Sequence, residues 1–142
     1  MNYELHWSIG FKINQTANKL NSKFSQILQQ YDIAPEQRAT LEIIKYEKDV
    51  NQTKISKILG KDKTTVSRAL RTLERKELII KDRIDRRTNL IKLSPKGEDI
   101  LEKTKNEVKD FRQSIVQNIS DEEFKLLNSL LEKVVSNIEC KK

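Results

Sequence analysis

The sequence predicts a mainly α-helical fold with one small β-hairpin. Three observations predict it. Apolar residues recur at helical spacing near both ends of the chain, and Ser, Asn or Asp residues stand where helices would begin. One polar, arginine-rich segment separates two short runs rich in β-branched residues. The length of 142 residues suits one domain spanning residues 1–142.

A long amphipathic helix is predicted over residues 5–31. A helix of this length spans about 40 Å, more than a domain of this size needs. We therefore expect it to pack on another long helix, in the same chain or in a second subunit. Its apolar stripe comprises Ile9, Ile13, Ala17, Leu20, Phe24, Ile27 and Tyr31.

Two shorter helices are predicted next. Pro35 suits the first position of a helix that ends near Lys48, because the N–H that proline lacks has no partner there. Asn51 is a candidate N-cap for a helix over residues 52–59. Gly60 stands where a left-handed residue would end that helix.

The following helix completes a helix-turn-helix. Asp62 is its candidate N-cap, and it runs to about Lys76. Val66, Leu70 and Leu73 share its inner face. A short helix, a glycine turn and a helix with an apolar inner face and a Thr/Arg outer face are typical of this motif. The outer face comprises Thr64, Arg68, Arg71 and Arg75, with Thr65 and Ser67 on its flanks.

A β-hairpin is predicted around a polar tip at residues 82–89, and it makes the motif a winged helix. Ser94 and Pro95 then begin a helix that we expect to reach Ile119. Ser120 and Glu123 form a capping box before the last helix. The apolar stripe of that helix comprises Phe124, Leu127, Leu131, Val134 and Ile138.

The positive charge is concentrated in the predicted winged helix. The net charge of the chain is +7, and residues 54–92 hold 13 Lys/Arg against 5 Asp/Glu, whereas the rest holds 15 against 16. Such a patch is typical of a protein that binds a polyanion, since neutralising phosphates releases condensed counterions. Charge alone leaves a solvated basic face and an anionic membrane surface as alternatives.

Several other classes of protein are not predicted. No stretch approaches the roughly 18 apolar residues of a membrane span, and the first residues lack a signal-peptide pattern. We therefore expect a cytoplasmic protein without a membrane partner. One histidine, His6, and one cysteine, Cys140, cannot form a zinc site. No nucleophile–base pair or cofactor motif is visible, so no catalytic residue, metal or cofactor is predicted.

In their order, these motifs resemble the MarR family of transcriptional regulators. The resemblance rests on residues 51–76 and on a wing signature of Asp85, Arg87, Leu93 and Ser94 followed by Pro95, Lys96 and Gly97. It implies a winged-helix dimer that binds palindromic double-stranded DNA. Residues 34–94 would be the DNA-binding region, and residues 1–33 and 95–142 the helical dimerisation region. Glu77 departs from the family, which usually has glycine there.

Site residues follow from the residue pattern and the resemblance together. The helix that begins at Asp62 would be the recognition helix, and Arg87, paired with Asp85, would reach a minor groove. A phenolic or anionic small-molecule effector is also implied. The DNA-binding residues would be Lys63, Thr64, Thr65, Ser67, Arg68, Arg71, Arg83, Arg86, Arg87 and Thr88. The dimer interface would contain Ile9, Ile13, Leu20, Phe111, Ile115, Phe124, Leu127, Leu131 and Val134.

Two functions therefore compete. The first is a dimeric, sequence-specific DNA-binding repressor or activator. The alternative is a winged-helix interaction module whose basic face binds an acidic protein. Salt-dependent affinity for duplex DNA, with a clear preference for one palindrome, distinguishes them.

Overall fold

The computed structural model describes residues 3–85 and 89–139 of the chain. Within these residues the mainly α fold with one hairpin is confirmed, and short 3₁₀ segments, Glu4–Trp7 and Gln29–Tyr31, flank the first helix. The chain divides into two compact units, residues 1–106 and 107–142. The elements are α1 (Ile9–Leu28), α2 (Pro35–Tyr46), α3 (Gln52–Leu59), α4 (Lys63–Arg75), β1 (Ile79–Arg83), β2 (Asn89–Leu93), α5 (Pro95–Ser114) and α6 (Asp121–Glu139).

The first helix is shorter than the predicted span of residues 5–31. The Ser8 hydroxyl accepts a hydrogen bond from the Phe11 backbone N–H at 3.3 Å, and α1 therefore begins at Ile9. After α1, Asp32 adopts a left-handed φ of 53°. The apolar spacing continues past both ends of α1. The cap at Ser8 and the turn at Asp32 depend on local backbone and side-chain geometry, which apolar spacing does not indicate.

The predicted helix-turn-helix is confirmed in α3 and α4. The Asn51 side chain accepts a hydrogen bond from the backbone N–H of Lys54 at 2.8 Å, and Gly60 ends α3 with a φ of 68°. The predicted inner face of α4 is buried, and Val66, its most exposed member, is 2% exposed. This packing leaves the opposite face of α4 in solvent.

The wing is an antiparallel hairpin, as predicted. β1 and β2 pair in a register that sets Ile79 opposite Leu93. The Ile91 backbone N–H donates to the Val50 carbonyl at 2.8 Å. This bond holds the hairpin against the segment that precedes α3.

The Ser94 hydroxyl joins the base of the wing to α5. It donates to the Glu77 carbonyl and accepts from the Gly97 backbone N–H at 3.0 Å, so it caps α5 as predicted. A Cβ atom at Gly97 would lie 2.2 Å from the Leu78 carbonyl oxygen. Any other residue at position 97 would therefore require a shift of the backbone.

Glu77 takes the left-handed conformation that glycine favours, with a φ of 63°. A side chain with a Cβ pays a steric cost there, and glutamate lacks the short polar group that lets Asn and Asp tolerate it. We expect Glu77→Gly to raise the free energy of unfolding by about 0.5–1 kcal/mol, measured by urea denaturation. Asn118→Gly, at a φ of 65°, is the control and should gain less. A less stable Glu77→Gly variant would contradict this account.

The helix α5 ends at Ser114, so the prediction that it reaches Ile119 was wrong. The Ser114 hydroxyl donates to the Phe111 carbonyl at 2.7 Å, and Asn118 is left-handed. Ile115 and Ile119 continue the apolar spacing beyond the helix, which is why the pattern concealed its end.

The predicted capping box before α6 is confirmed. The Glu123 backbone N–H donates to the Ser120 hydroxyl at 3.1 Å, and the Ser120 N–H donates to the Glu123 carboxylate at 2.9 Å. No residue of α6 is buried. Exposed apolar surface of this extent indicates an interaction surface. Its large exposed apolar side chains are Phe124, Leu126, Leu127, Leu130, Leu131, Val135 and Ile138.

Among the described residues, no helix combines the length and the apolar character needed to cross a membrane.

Candidate nucleic-acid interface

The outer face of α4 presents cationic and hydroxyl side chains to solvent. Arg68 and Arg71 are exposed, and neither forms an ion pair with another described residue. Their guanidinium groups can therefore donate to base edges or phosphates. The other predicted contacts on α4 are Lys63, Thr64 and Thr65, which are exposed, and Ser67, which is half-buried.

Asp62 sets the start of α4. Its carboxylate accepts a hydrogen bond from the Thr65 backbone N–H at 2.7 Å, and this bond holds the pKa of Asp62 below its usual range. The first N–H groups of a helix have no partner within the helix and carry partial positive charge. The Asp62 carboxylate already occupies this end of α4, so the exposed Lys63 ammonium and Thr64 hydroxyl are the groups there that can donate to phosphate oxygens.

The lowered pKa of Asp62 predicts a pH dependence of stability. The cap stabilises the fold fully above about pH 4, the unfolded-state value, and this contribution is lost as the pH falls through the lowered folded-state pKa. Asp62→Asn retains a capping side chain without the charge, so we expect it to remove this part of the acid sensitivity. Urea denaturation of both proteins at a series of pH values measures the difference. Parallel stability curves down to acid pH would contradict the assignment.

Hydrogen bonds from side chains hold both ends of α4. The Gln52 side chain donates to the Lys63 carbonyl at 2.9 Å. The Lys76 ammonium donates to the Asp32 carbonyl at 2.7 Å and to the Gln37 side-chain oxygen at 3.2 Å. Neither Gln52 nor Lys76 was among the predicted site residues, because no sequence pattern reports hydrogen bonds between elements.

The predicted wing contacts are only partly described. Arg83 is exposed at the end of β1, and its Nε donates to the Asp85 backbone carbonyl at 3.3 Å. The predicted contacts Arg86, Arg87 and Thr88 lie outside the described residues. The Asp85–Arg87 ion pair therefore stays a prediction.

The predicted dimer-interface residues differ in exposure. Phe111 is 8% exposed, so most of its surface is covered without a second subunit. The remaining residues leave apolar surface accessible in α1, in the segment after α5 and in α6. Exposed members are Ile9, Ile115, Phe124, Leu127 and Leu131, and half-buried members are Ile13, Leu20 and Val134.

Metal-ligand clusters are not found in the part of the chain that the structure describes: no three His, Cys, Asp or Glu side chains there are grouped to hold an ion.

Comparison with known proteins matches both the fold and the sequence. Residues 33–88 match the model of the MarR family. The chain is 30% identical to MepR of Staphylococcus aureus, solved as a DNA complex, with 92% of this chain and 98% of that chain covered and a TM-score of 0.82. It is 27% identical to a MarR/EmrR family transcriptional regulator from Acinetobacter sp. ADP1, with 98% and 100% covered and a TM-score of 0.89.

A curated relative is the uncharacterized HTH-type transcriptional regulator YdgJ of Bacillus subtilis (strain 168). It is 29% identical over 100 residues, which are 69% of this chain and 61% of that protein. The chain thus spans about three fifths of the length of this relative. Because MepR is 30% identical and covered almost completely, and because the family model matches the helix-turn-helix and the start of the wing, the chain belongs to the MarR family of winged-helix transcriptional regulators.

Proposed function

We propose that the protein is a sequence-specific DNA-binding regulator that acts as a homodimer on a palindromic operator. The outer face of α4 carries this proposal. Arg68 and Arg71 are exposed there, opposite a buried apolar face that fixes the helix in place. The major groove of B-DNA admits one helix, and an arginine can bind guanine O6 and N7 with two hydrogen bonds. MepR, solved in complex with DNA, supports the same use of the fold.

Each group of predicted residues has its own role in this proposal. Arg68 and Arg71 contact base edges, and Ser67 lies at the flank of the same helix. Lys63, Thr64 and Thr65 bind phosphates or base edges at the start of α4. The wing residues Arg83, Arg86, Arg87 and Thr88 follow the backbone and a minor groove, where arginine responds to groove width and negative potential.

The exposed apolar face of α6 supports the proposed homodimer. No residue of α6 is buried in the single chain, although the helix carries seven exposed large apolar side chains. In a homodimer, the apolar faces of α6 from the two copies would cover each other. The two-fold symmetry of that contact matches the symmetry of a palindromic site.

We also propose that the protein is a repressor and that a phenolic or anionic effector lowers its affinity for DNA. A shallow, open cleft of about 390 Å³ lies beside the C-terminal end of α4. A ligand there acts on DNA binding if it favours one position of α4 over another. DNA binding measured with and without benzoate tests this part. The cleft is lined by Ser25, Gln26, Gln29, Asp32, Ile33, Ala34, Gln37 and Lys76.

Selection of bound sites from random duplex DNA tests the main proposal. We expect one palindromic site, bound with an affinity whose logarithm falls linearly with the logarithm of the salt concentration. No binding to any duplex in dilute buffer would contradict the proposal. Binding to an acidic protein with no preferred duplex would favour the interaction module instead.

A further inference from the structure

The helix α2 buries a charged side chain against α5. Arg38 is 4% exposed, and its Nε donates to the Thr104 hydroxyl at 2.9 Å. Thr104 is fully buried, and its hydroxyl proton goes to the Ile100 carbonyl at 2.7 Å, so its oxygen accepts from Arg38. The Nη1 of Arg38 lies 2.5 Å from a carboxylate oxygen of Glu42, one helical turn further along α2.

Stability alone gives little reason for an ionic group in this place. Removing a guanidinium from water costs free energy, and its hydrogen bonds and ion pair offset only part of this cost. Apolar residues of similar size often stabilise a core equally well or better. A hydrogen bond forms only within a narrow range of distances and angles, whereas apolar contacts tolerate many arrangements. The bond from Arg38 to Thr104 therefore selects one register of α2 along α5.

A second ion pair joins the same two helices at their surface. The Lys45 ammonium pairs with Glu98, and the two side chains are 38% and 48% exposed. Lys45 follows Arg38 on α2, whereas Glu98 precedes Thr104 on α5, so the two contacts occur in opposite order along the two helices. Exposed ion pairs contribute little to stability or geometry. The Lys45–Glu98 pair therefore provides a matched control for the buried contact.

We propose that Arg38 is a positioning residue for DNA recognition, which fixes the winged helix in one register along α5. This inference rests on the proposed function. α5 continues without a break from Pro95 to Ser114. In the proposed homodimer, each winged helix positions one recognition helix, so its register along α5 influences the distance between the two recognition helices. That distance has to match a turn of DNA, about 34 Å. Arg38 therefore controls the preferred spacing of half-sites and leaves base preference unchanged.

The test measures dissociation constants for a set of operators whose half-sites are constant and whose spacing differs by single base pairs. Arg38→Met combined with Glu42→Leu removes both charges and keeps apolar volume. We expect this variant to fold and to bind the optimal spacing about tenfold more weakly, a typical size for coupling between sites. Its affinity for neighbouring spacings should change much less, so the spacing profile flattens.

Two further variants make the result decisive. Thr104→Val keeps both charges but removes the hydroxyl, and we expect it to flatten the profile in the same direction. Lys45→Met breaks the exposed pair and should leave the profile unchanged. If the Arg38→Met/Glu42→Leu variant does not fold, Thr104→Val decides alone.

The proposal is overturned by an unchanged profile, or by an equal loss of affinity at every spacing, which a merely structural role would give. Failure of the unaltered protein to bind any duplex would overturn the proposed function itself, and the role of Arg38 with it.

Discussion

Arg68→Ala is expected to lower the affinity for the selected operator by about 10- to 100-fold. Arg68 is exposed on the outer face of α4 and has no ion-pair partner among the described residues. A bidentate contact between arginine and guanine is worth about 1–3 kcal/mol of discrimination between bases. The variant should therefore also lose base preference at one position of each half-site, which binding to a set of base-substituted duplexes measures.

Arg68→Lys is the matched control for this variant. Lysine keeps the charge but lacks the planar pair of donors, so we expect non-specific affinity to stay while base preference falls. Arg87→Ala provides a second comparison. It should weaken binding to every sequence by a similar factor, since arginine in a minor groove responds to shape and potential. Unchanged base preference in Arg68→Ala would exclude its assigned contact.

Aspartate at two positions of α6 is expected to abolish the dimer. Leu127 and Leu131 are 48% and 37% exposed in the single chain, so Leu127→Asp/Leu131→Asp should leave the fold of the chain intact. In a dimer, the same carboxylates would be buried without partners, at a cost of several kcal/mol. Light scattering after size-exclusion chromatography should show a monomer. Affinity for the palindrome should fall by more than about 100-fold, because each half-site then binds alone.

Lys125→Asp/Ser129→Asp is the control for the α6 variant. It introduces the same number of carboxylates with the same spacing on a different side of the helix. This variant should remain dimeric and retain its affinity for the palindrome. If both variants dissociate, or if neither does, the apolar face of α6 is not the dimer contact.

Local signals in the sequence predicted most of the element boundaries. Asn51, Asp62 and Ser94 each cap the helix that they were expected to begin. These predictions succeeded because a cap is formed by residues three positions apart, so its whole cause lies within a few letters of sequence. The end of α3 at Gly60 was also predicted from a local signal. Glycine adopts the left-handed conformation at little cost, so this residue alone explains the turn.

Helix length was harder to predict. The apolar stripes of α1 and α5 extend past the residues at which the helices end. Ser8 caps the start of α1 by accepting from the Phe11 N–H. The end of α5 tightens into backbone bonds three residues apart, such as the Val116 N–H to the Gln113 carbonyl at 3.3 Å, before the left-handed Asn118. Serine is common in helices as well as at their ends, so its presence alone does not mark a boundary.

Contacts between distant residues could not be predicted at all. Arg38 and Thr104 lie 66 positions apart, and each is polar, so a hydrophobic pattern assigns both to the surface. The structure buries them together. The positions of Gln52 and Lys76 at the two ends of α4 were missed for the same reason. The candidate interface was therefore predicted as a set of cationic residues, while the contacts that hold it in place required the structure.

The hydroxyl of Ser94 has a consequence for local unfolding. The same hydroxyl donates to the Glu77 carbonyl, two residues before β1, and accepts from the Gly97 N–H in the first turn of α5. Loss of this hydroxyl would weaken the attachment of the base of the wing and of the first turn of α5 together, so we expect these two parts to open as one local unit. Amide hydrogens at the base of the hairpin and in the first turn of α5 should then exchange with solvent through a shared opening.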